Sequence, residues 1–236
     1  MPLSLPRAEP SYGVERFRRL LSEPEAHQLR VLRAILRRNA DCDFGRRHGF
    51  ADIETFERYR ARVPVARYED LRAPIERMAR GEAGVLTSEP VCAWEETGGS
   101  SGGAKLVAYT AAGLREFRAG LAPWLDSLHA ACPRCACGRS YWAISPAGRS
   151  AKRTPSGMPV GLPDTAYFGE SRSAELAATL AVPAQVGGIR DLGAWRHVTA
   201  LHLVACPDLT LVSVWSPTFL LELLAYIERE AQALAA

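Results

Sequence analysis

The run Thr97-Gly98-Gly99-Ser100-Ser101-Gly102-Gly103-Ala104-Lys105 restricts the fold more than any other stretch of the chain. Four glycines, three small hydroxyl residues and a lysine in nine positions offer nothing to a hydrophobic core. Glycine backbone approaches a ligand closely and accepts positive φ, so successive N–H groups can converge on an anion. Hydroxyls of Thr97, Ser100 and Ser101 add adaptable donors, and Lys105 adds a compact positive charge. Each hydrogen bond to a charged oxygen contributes roughly 1.5–3 kcal/mol, so about four or five together hold a polyphosphate.

The flanks of this run are β-prone. Val85-Leu86-Thr87 and Val91-Cys92-Ala93-Trp94 read as extended before it, and Leu106-Val107-Ala108-Tyr109 after it. The loop is therefore expected to join two strands. It is not a P-loop, because Ala104 separates Gly103 from Lys105 and Leu106 follows the lysine. No Gly-x-Gly-x-x-Gly opens a helix, which argues against a dinucleotide fold. Taken alone, the residues leave two readings open: a phosphate cradle, or a solvated Gly/Ser hairpin tip.

Around the loop, apolar periodicity alternates between helix and strand. Residues 11–38 read as two helices, with Val14, Phe17, Leu20 and Leu21 on one face. Ser22 caps the second of them, and Leu29, Leu32, Ile35 and Leu36 form its buried side. Asp52 is expected to cap a short helix over 54–60, and residues 68–80 form another helix closed by Gly81. Thr110 is placed to cap a long helix carrying Leu114, Phe117, Leu121, Trp124 and Leu128. A strand over 141–144 precedes an aperiodic segment, 146–163, read as a long loop. Helices over 173–180 and 191–204 follow, then an apolar strand over 209–214 expected to be central. Ser216 and Pro217 begin a last helix that buries Leu220, Leu221, Leu224 and Ile227. The pattern predicts an α/β architecture, with an N-terminal helical region over 1–82 and an α/β portion over 83–236. No internal repeat is visible.

Several function classes find no support. The 236 residues are 47% apolar and 23% charged, with a formal charge of +3, the profile of a chain able to bury a sizeable core. Arginine pairs 18–19, 37–38 and 46–47 lie beside acidic and apolar residues, as solvated helix faces do, so no nucleic-acid partner is expected. No apolar run approaches the ~20 residues of a membrane span, and the N-terminus has no signal-peptide core, so the chain is expected to be cytoplasmic. Cys42, Cys92 and Cys206 read as reduced, partly buried thiols. His129-x-x-Cys132-x-x-Cys135-x-Cys137 is dense enough to consider for zinc, but no second ligand pair accompanies it and no metal site is assigned. His48 reads as a turn residue, and His197 and His202 are five apart, not the i, i+4 of a zinc pair. Trp142 and Trp215 read as core or pocket wall. No nucleophile–base constellation can be assigned, so catalytic residues stay unknown.

Thr97, Gly99, Ser100, Ser101, Gly102 and Lys105 match the phosphate loop of adenylate-forming enzymes. That loop runs paired hydroxyls, glycine, paired hydroxyls, glycine, a variable residue, proline and lysine. Gly98 stands where a hydroxyl is usual, and Ala104 stands for the proline. Within that superfamily the chain resembles the acyl-acid amido synthetases of the auxin-responsive promoter family, in particular their bacterial relatives. The likeness extends through residues 39–50, Val63-Pro64-Val65 with Tyr68-Glu69-Asp70-Leu71, Ala122-Pro123-Trp124, residues 141–146 and residues 212–220.

The resemblance implies part of the large N-terminal domain of such an enzyme, helices packed on an incomplete β-sheet. It implies ATP as substrate, held at its phosphates by Thr97, Gly98, Gly99, Ser100, Ser101, Gly102, Gly103 and Lys105. A small carboxylic acid would be adenylated and passed to an amino acid, with magnesium expected for the full-length family. Family members are more than twice as long. Their later half supplies a magnesium and adenine element, a ribose-binding aspartate and a small closing domain, none of which has a match here. The chain is thus expected to be an N-terminal fragment unable to complete the reaction alone. The alternative is a non-catalytic partner, or one half of a split enzyme whose other half is a separate chain.

Overall fold

The computed structural model describes residues 13–97, 104–143, 152–162, Tyr167 and 177–235. The mixed α/β architecture expected from the sequence is found, and the chain divides into two compact units.

The first unit comprises residues 15–117 and 151–161. It opens on α1 (Val14–Leu20), α2 (Pro24–Arg38), α3 (Asp43–His48), α4 (Phe56–Arg62) and α5 (Tyr68–Ala79), all amphipathic or short. Leu36, Phe50 and Ile53 are buried together, with Leu32, Phe44, Tyr59 and Val63 packed around them. The α2 face read from the sequence is thus the one that packs. Its cap is not: Glu23 occupies the N-cap, while the Ser22 hydroxyl donates to the Arg19 carbonyl at 2.7 Å and closes α1 instead. Asp52 likewise ends a 3-10 turn (Phe50–Asp52), and Thr55 caps α4 by accepting from Arg58 N at 3.2 Å. At α3 the Cys42 sulfur is the cap, accepting from Gly45 N at 3.2 Å. A Cβ at Gly45 would stand 1.9 Å from the Asn39 carbonyl oxygen, so only glycine fits there. The end of α5 follows the sequence reading: Gly81 has φ 95, and the Gly81 and Glu82 amides return to Met78 O and Arg77 O.

The sheet of this unit has the order β2-β1-β5-β4. Strands β1 (Val91–Thr97) and β2 (Lys105–Thr110) are antiparallel neighbours, so the glycine loop does join two strands. The segment expected to be a long loop contributes β4 (Lys152–Arg153) and β5 (Pro159–Val160), an antiparallel pair turned at Gly157, where φ is 87. β5 lies parallel to β1, Trp94 opposite Val160, and Gly161 N donates to Trp94 O at 2.8 Å. Val85-Leu86-Thr87, expected to be extended, is not a strand. Its groups are committed elsewhere: Val85 O accepts from Phe44 N, Thr87 Oγ1 donates to Asn39 Oδ1, and the Val85 side chain is buried. Met78, Ala79, Val85 and Trp94 form the core of this sheet, with Leu106, Ala108, Met158 and Val160 packed against them.

The second unit comprises residues 1–14, 118–150 and 162–236. Helix α6 (Ala111–Ala131) belongs to the first unit through Phe117 and to the second from Arg118. Thr110 caps it as read, its hydroxyl accepting from Gly113 N at 3.1 Å. Strands β3 (Arg139–Ala143) and β6 (Leu209–Val214) pair in parallel. A Cβ on Gly138 would meet the Asp208 carbonyl oxygen at 2.2 Å, which fixes how closely the two strands start. Among the described residues β3 has a further bridge to Leu180, and β6 has no second strand, so it is not central there.

Helices α7 (Leu192–Val204), α8 (Pro217–Arg229) and α9 (Ala231–Leu234) complete this unit. Asp191 and Ser216 cap α7 and α8, accepting from Ala194 N at 2.7 Å and Phe219 N at 3.3 Å. Tyr141, Val182, Val186, Trp195, Ala200, Leu223 and Leu234 form the core. The buried stripe of α8 is centred on Leu223, flanked by Phe219, Tyr226 and Ile227, whereas Leu221 and Leu224 are exposed. The helix is apolar on more than one side, so its period alone did not select the packed face. No helix among the described residues is long and apolar enough to cross a membrane.

Candidate functional site at the glycine-loop hairpin

Two of the eight phosphate-loop candidates, Thr97 and Lys105, lie at the stem of the β1–β2 hairpin, directly opposite each other in register. The Thr97 hydroxyl donates to the Lys105 carbonyl at 3.5 Å across the ladder. Gly98, Gly99, Ser100, Ser101, Gly102 and Gly103 lie outside the described residues.

Side chains from α5 and β4 surround the stem. The Tyr68 hydroxyl, at the start of α5, accepts from Leu106 N at 2.9 Å, fastening the helix to β2 beside the loop. The Lys105 ammonium lies 5.5 Å from the Tyr68 ring centroid, and the Arg72 guanidinium 5.4 Å from it. The ring attracts both cations by its quadrupole, and the Arg72 guanidinium also lies 3.6 Å from Glu69 Oε1. On β4, Lys152 Nζ binds both carboxylate oxygens of Glu96, at 3.0 and 2.7 Å. Glu96 precedes Thr97, so this ion pair braces β1 where it enters the loop.

The chain has only two lysines, and both lie at this stem. Sequence reasoning gave a site role to Lys105 but not to Tyr68, Arg72, Glu96 or Lys152. The scarcity of lysine in an arginine-rich chain is the one signal that could have singled out Lys152.

The other titratable clusters have different roles. Arg77 near the end of α5 binds Asp43 Oδ2 at 2.7 Å and both carboxylate oxygens of Glu82. These hydrogen bonds hold the Asp43 and Glu82 carboxyls below their ordinary range and push the guanidinium up. The cluster ties α3 to α5 and is structural. The His48 ring bonds the Arg62 carbonyl at 2.9 Å, in keeping with a turn role, and His197 pairs with the Tyr226 hydroxyl at 3.0 Å. Trp142 is core, its indole N–H donating to Ser140 Oγ at 2.9 Å. Trp215 is not: it is 60% exposed. Cys42 is buried, Cys206 half-buried with its thiol pushed up by that burial, and Cys92 exposed. No group of three or more His, Cys, Asp or Glu side chains among the described residues is arranged to hold a metal ion, His129, Cys132, Cys135 and Cys137 included.

A family model described as the GH3 family N-terminal domain matches residues 13–236. The chain is 31% identical over 161 residues to the indole-3-acetic acid-amido synthetase GH3.5 of Arabidopsis thaliana, 66% of this chain and 26% of that protein. It is 44% identical over 80 residues to a probable indole-3-acetic acid-amido synthetase GH3.2 of Oryza sativa subsp. japonica, 34% of this chain and 13% of that protein. In structure it is similar to the AtGH3.15 acyl acid amido synthetase in complex with 2,4-DB, with a TM-score of 0.73 and 21% identity. That likeness, which is one of fold, covers 98% of this chain and 41% of the other.

Proposed function

The chain belongs to the GH3 family, aligned with its N-terminal domain, and on that footing we propose that it carries the phosphate-binding portion of an ATP-dependent acyl-acid amido synthetase. The reaction is adenylation of a small carboxylic acid, with loss of pyrophosphate, followed by attack of an amino acid amine on the acyl-adenylate. The observation that carries this reading is the hairpin stem, where Lys105 sits opposite Thr97 with its ammonium held against Tyr68. Backbone amides of 98–103 and the hydroxyls of Ser100 and Ser101 would donate to the β- and γ-phosphate oxygens, with the Thr97 hydroxyl turning from the Lys105 carbonyl to join them. Lys105 and Arg72 offset the charge that accumulates as pyrophosphate departs. The Glu96–Lys152 pair fastens β1 to β4 and the Tyr68–Leu106 bond fastens β2 to α5, so each strand that carries the loop is braced at its loop end. Magnesium is expected for full-length relatives, and among the described residues no group of three or more His, Cys, Asp or Glu is arranged to hold a metal ion.

This chain spans 41% of the solved relative, and we propose that alone it binds nucleotide without completing adenylation. Calorimetric titration with ATP, alongside an ATP–pyrophosphate exchange assay, tests both points. Saturable ATP binding without exchange is expected. Sustained exchange would overturn the incompleteness, and no heat with ATP or pyrophosphate would overturn the phosphate site. Lys105→Ala should weaken binding about tenfold or more, the equivalent of losing one charged hydrogen bond of roughly 1.5–3 kcal/mol, with an unchanged circular dichroism spectrum.

A second reading, half of a split enzyme completed by a separate cytoplasmic chain, is favoured by the exposure of Val212 and Trp215 at β6 and of Leu221 and Leu224 on α8. Sedimentation of the chain with a polypeptide carrying the family's remaining portion should give a one-to-one complex; separate boundaries at micromolar concentration would count against it.

A further inference from the structure

Helix α6 is followed by the sequence Cys132-Pro133-Arg134-Cys135-Ala136-Cys137, whose thiols are all free. Cys132 N still bonds Leu128 O at 2.8 Å, so Cys132 completes the helix. The chain then tightens into a 3-10 turn (Pro133–Ala136) in which Cys135 N donates to Cys132 O at 2.9 Å. A bond of that type brings the two Cα atoms within about 7 Å, overlapping the ~4.4–6.8 Å that a disulfide spans. Pro133 fixes its own φ at the head of this turn, so the closed shape is largely set in advance.

The sulfurs meet accordingly: Cys135 Sγ–H donates to Cys132 Sγ at 2.8 Å. Residues at and before β6 pack against the backbone of this turn. Cys135 O accepts from the Thr210 hydroxyl at 3.4 Å, and Gly138 is seated against Asp208 too closely for any side chain. Cys137, although adjacent in sequence, is engaged elsewhere, donating to the Pro133 carbonyl at 3.3 Å. Both members of the close pair are partly exposed, within reach of a solute.

We propose that Cys132 and Cys135 form a reversible dithiol–disulfide site that reacts with small disulfides of the glutathione class, with Cys137 standing outside it. The Cys132 thiolate attacks one sulfur of the reagent, forming a mixed disulfide and expelling one reagent thiolate. Cys135 then loses its proton to solvent and attacks Cys132 Sγ. The mixed bond breaks, and the second reagent thiolate leaves and is protonated. The protein gives up two electrons and two protons, and the reagent disulfide becomes two thiols.

The hydrogen bond from Cys135 lowers the Cys132 thiol and raises that of Cys135, which agrees with this order of attack. The pair lies at a helix C-terminus, where the dipole gives a thiolate no help. The reduced form is therefore not favoured as it is in motifs at helix N-termini, and the site accepts oxidation more readily than it passes it on.

The test is peptide mapping by mass spectrometry of the full chain after exposure to oxidised glutathione, acid quenching and alkylation. The expected result is loss of two hydrogen atoms confined to the peptide holding Cys132 and Cys135. Dithiothreitol should reverse it, and Cys137 should remain alkylable throughout. Cys135→Ser should trap a glutathione adduct on Cys132, and Cys137→Ser should behave as the parent. A cross-link that uses Cys137, or adducts spread evenly over Cys92, Cys137 and Cys132, would overturn the proposal. Because the unsubstituted chain gives the primary result, a variant that misfolds leaves the test intact.

Discussion

Trp94, the only tryptophan of the first unit, is fully buried, whereas the second unit shows Trp124 and Trp215 to solvent at 45% and 60% exposure. The aliphatic residues differ in where they are exposed. In the first unit Leu21, Val31, Val65 and Val107 are exposed around a buried sheet core and a buried α2 cluster. In the second, Leu201, Val204, Val212, Leu221 and Leu224 remain on the surface of ordered helix and strand. Burying apolar area is worth roughly 25 cal/mol per Å², so residues like these represent stabilisation that the second unit does not use. The first unit braces the strands on either side of the glycine loop, and the second leaves apolar side chains of α7, β6 and α8 exposed.

The sharpest way to break this comparison is to truncate a tryptophan in each unit. Trp94→Ala should cost about 3–5 kcal/mol in urea unfolding, because a fully buried indole leaves a cavity that the sheet cannot close. Trp215→Ala should change stability by about 0.5 kcal/mol or less. Equal losses would show that exposure in the two units means the same thing.

A smaller effect probes helix starts in the second unit. Asp191→Ala and Ser216→Ala each remove the acceptor for an N-terminal amide and should cost about 1 kcal/mol, within a range of roughly 0.5–2. Ser22→Ala, at a position that is no helix N-cap, should cost clearly less in the same thermal melts.

The smallest effect is pH-dependent and belongs to the first unit. Asp43 and Glu82 have folded-state pKa values below their ordinary 3.8 and 4.5. Their contribution is therefore fully present above those ordinary values and is lost as pH falls through the lower folded ones. Stability should decline below about pH 4.5, and Arg77→Met should flatten that decline. The cluster is exposed, so added salt should reduce the difference. An acid slope unchanged by Arg77→Met would remove Arg77 as its cause.

What was legible in the sequence was local. Thr110, Asp191 with its following apolar period, and Ser216-Pro217 announce helix starts through chemistry confined to one turn, and the structure has them there. The two strands beside the glycine run were equally plain. What escaped depended on distant partners. β4 and β5 are two residues each and exist because Val160 finds Trp94, far away in sequence. Val85-Leu86-Thr87 has strand composition, yet Asn39 and Phe44 take its polar groups. Tyr68 and Lys152 join the loop stem only once α5 and β4 are placed. At α8, a surfeit of leucine hid the face that packs.

The seat of β5 beside β1 has a practical corollary. A polypeptide ending at Phe117 would contain α1 to α5 and both hairpin strands of the first unit, yet Trp94 O would lose the Gly161 amide and the sheet would lose half its strands. Domain dissection, limited proteolysis and circular permutation of this protein must therefore treat residues 151–161 as an inseparable companion of 15–117, supplied by a later stretch of the chain.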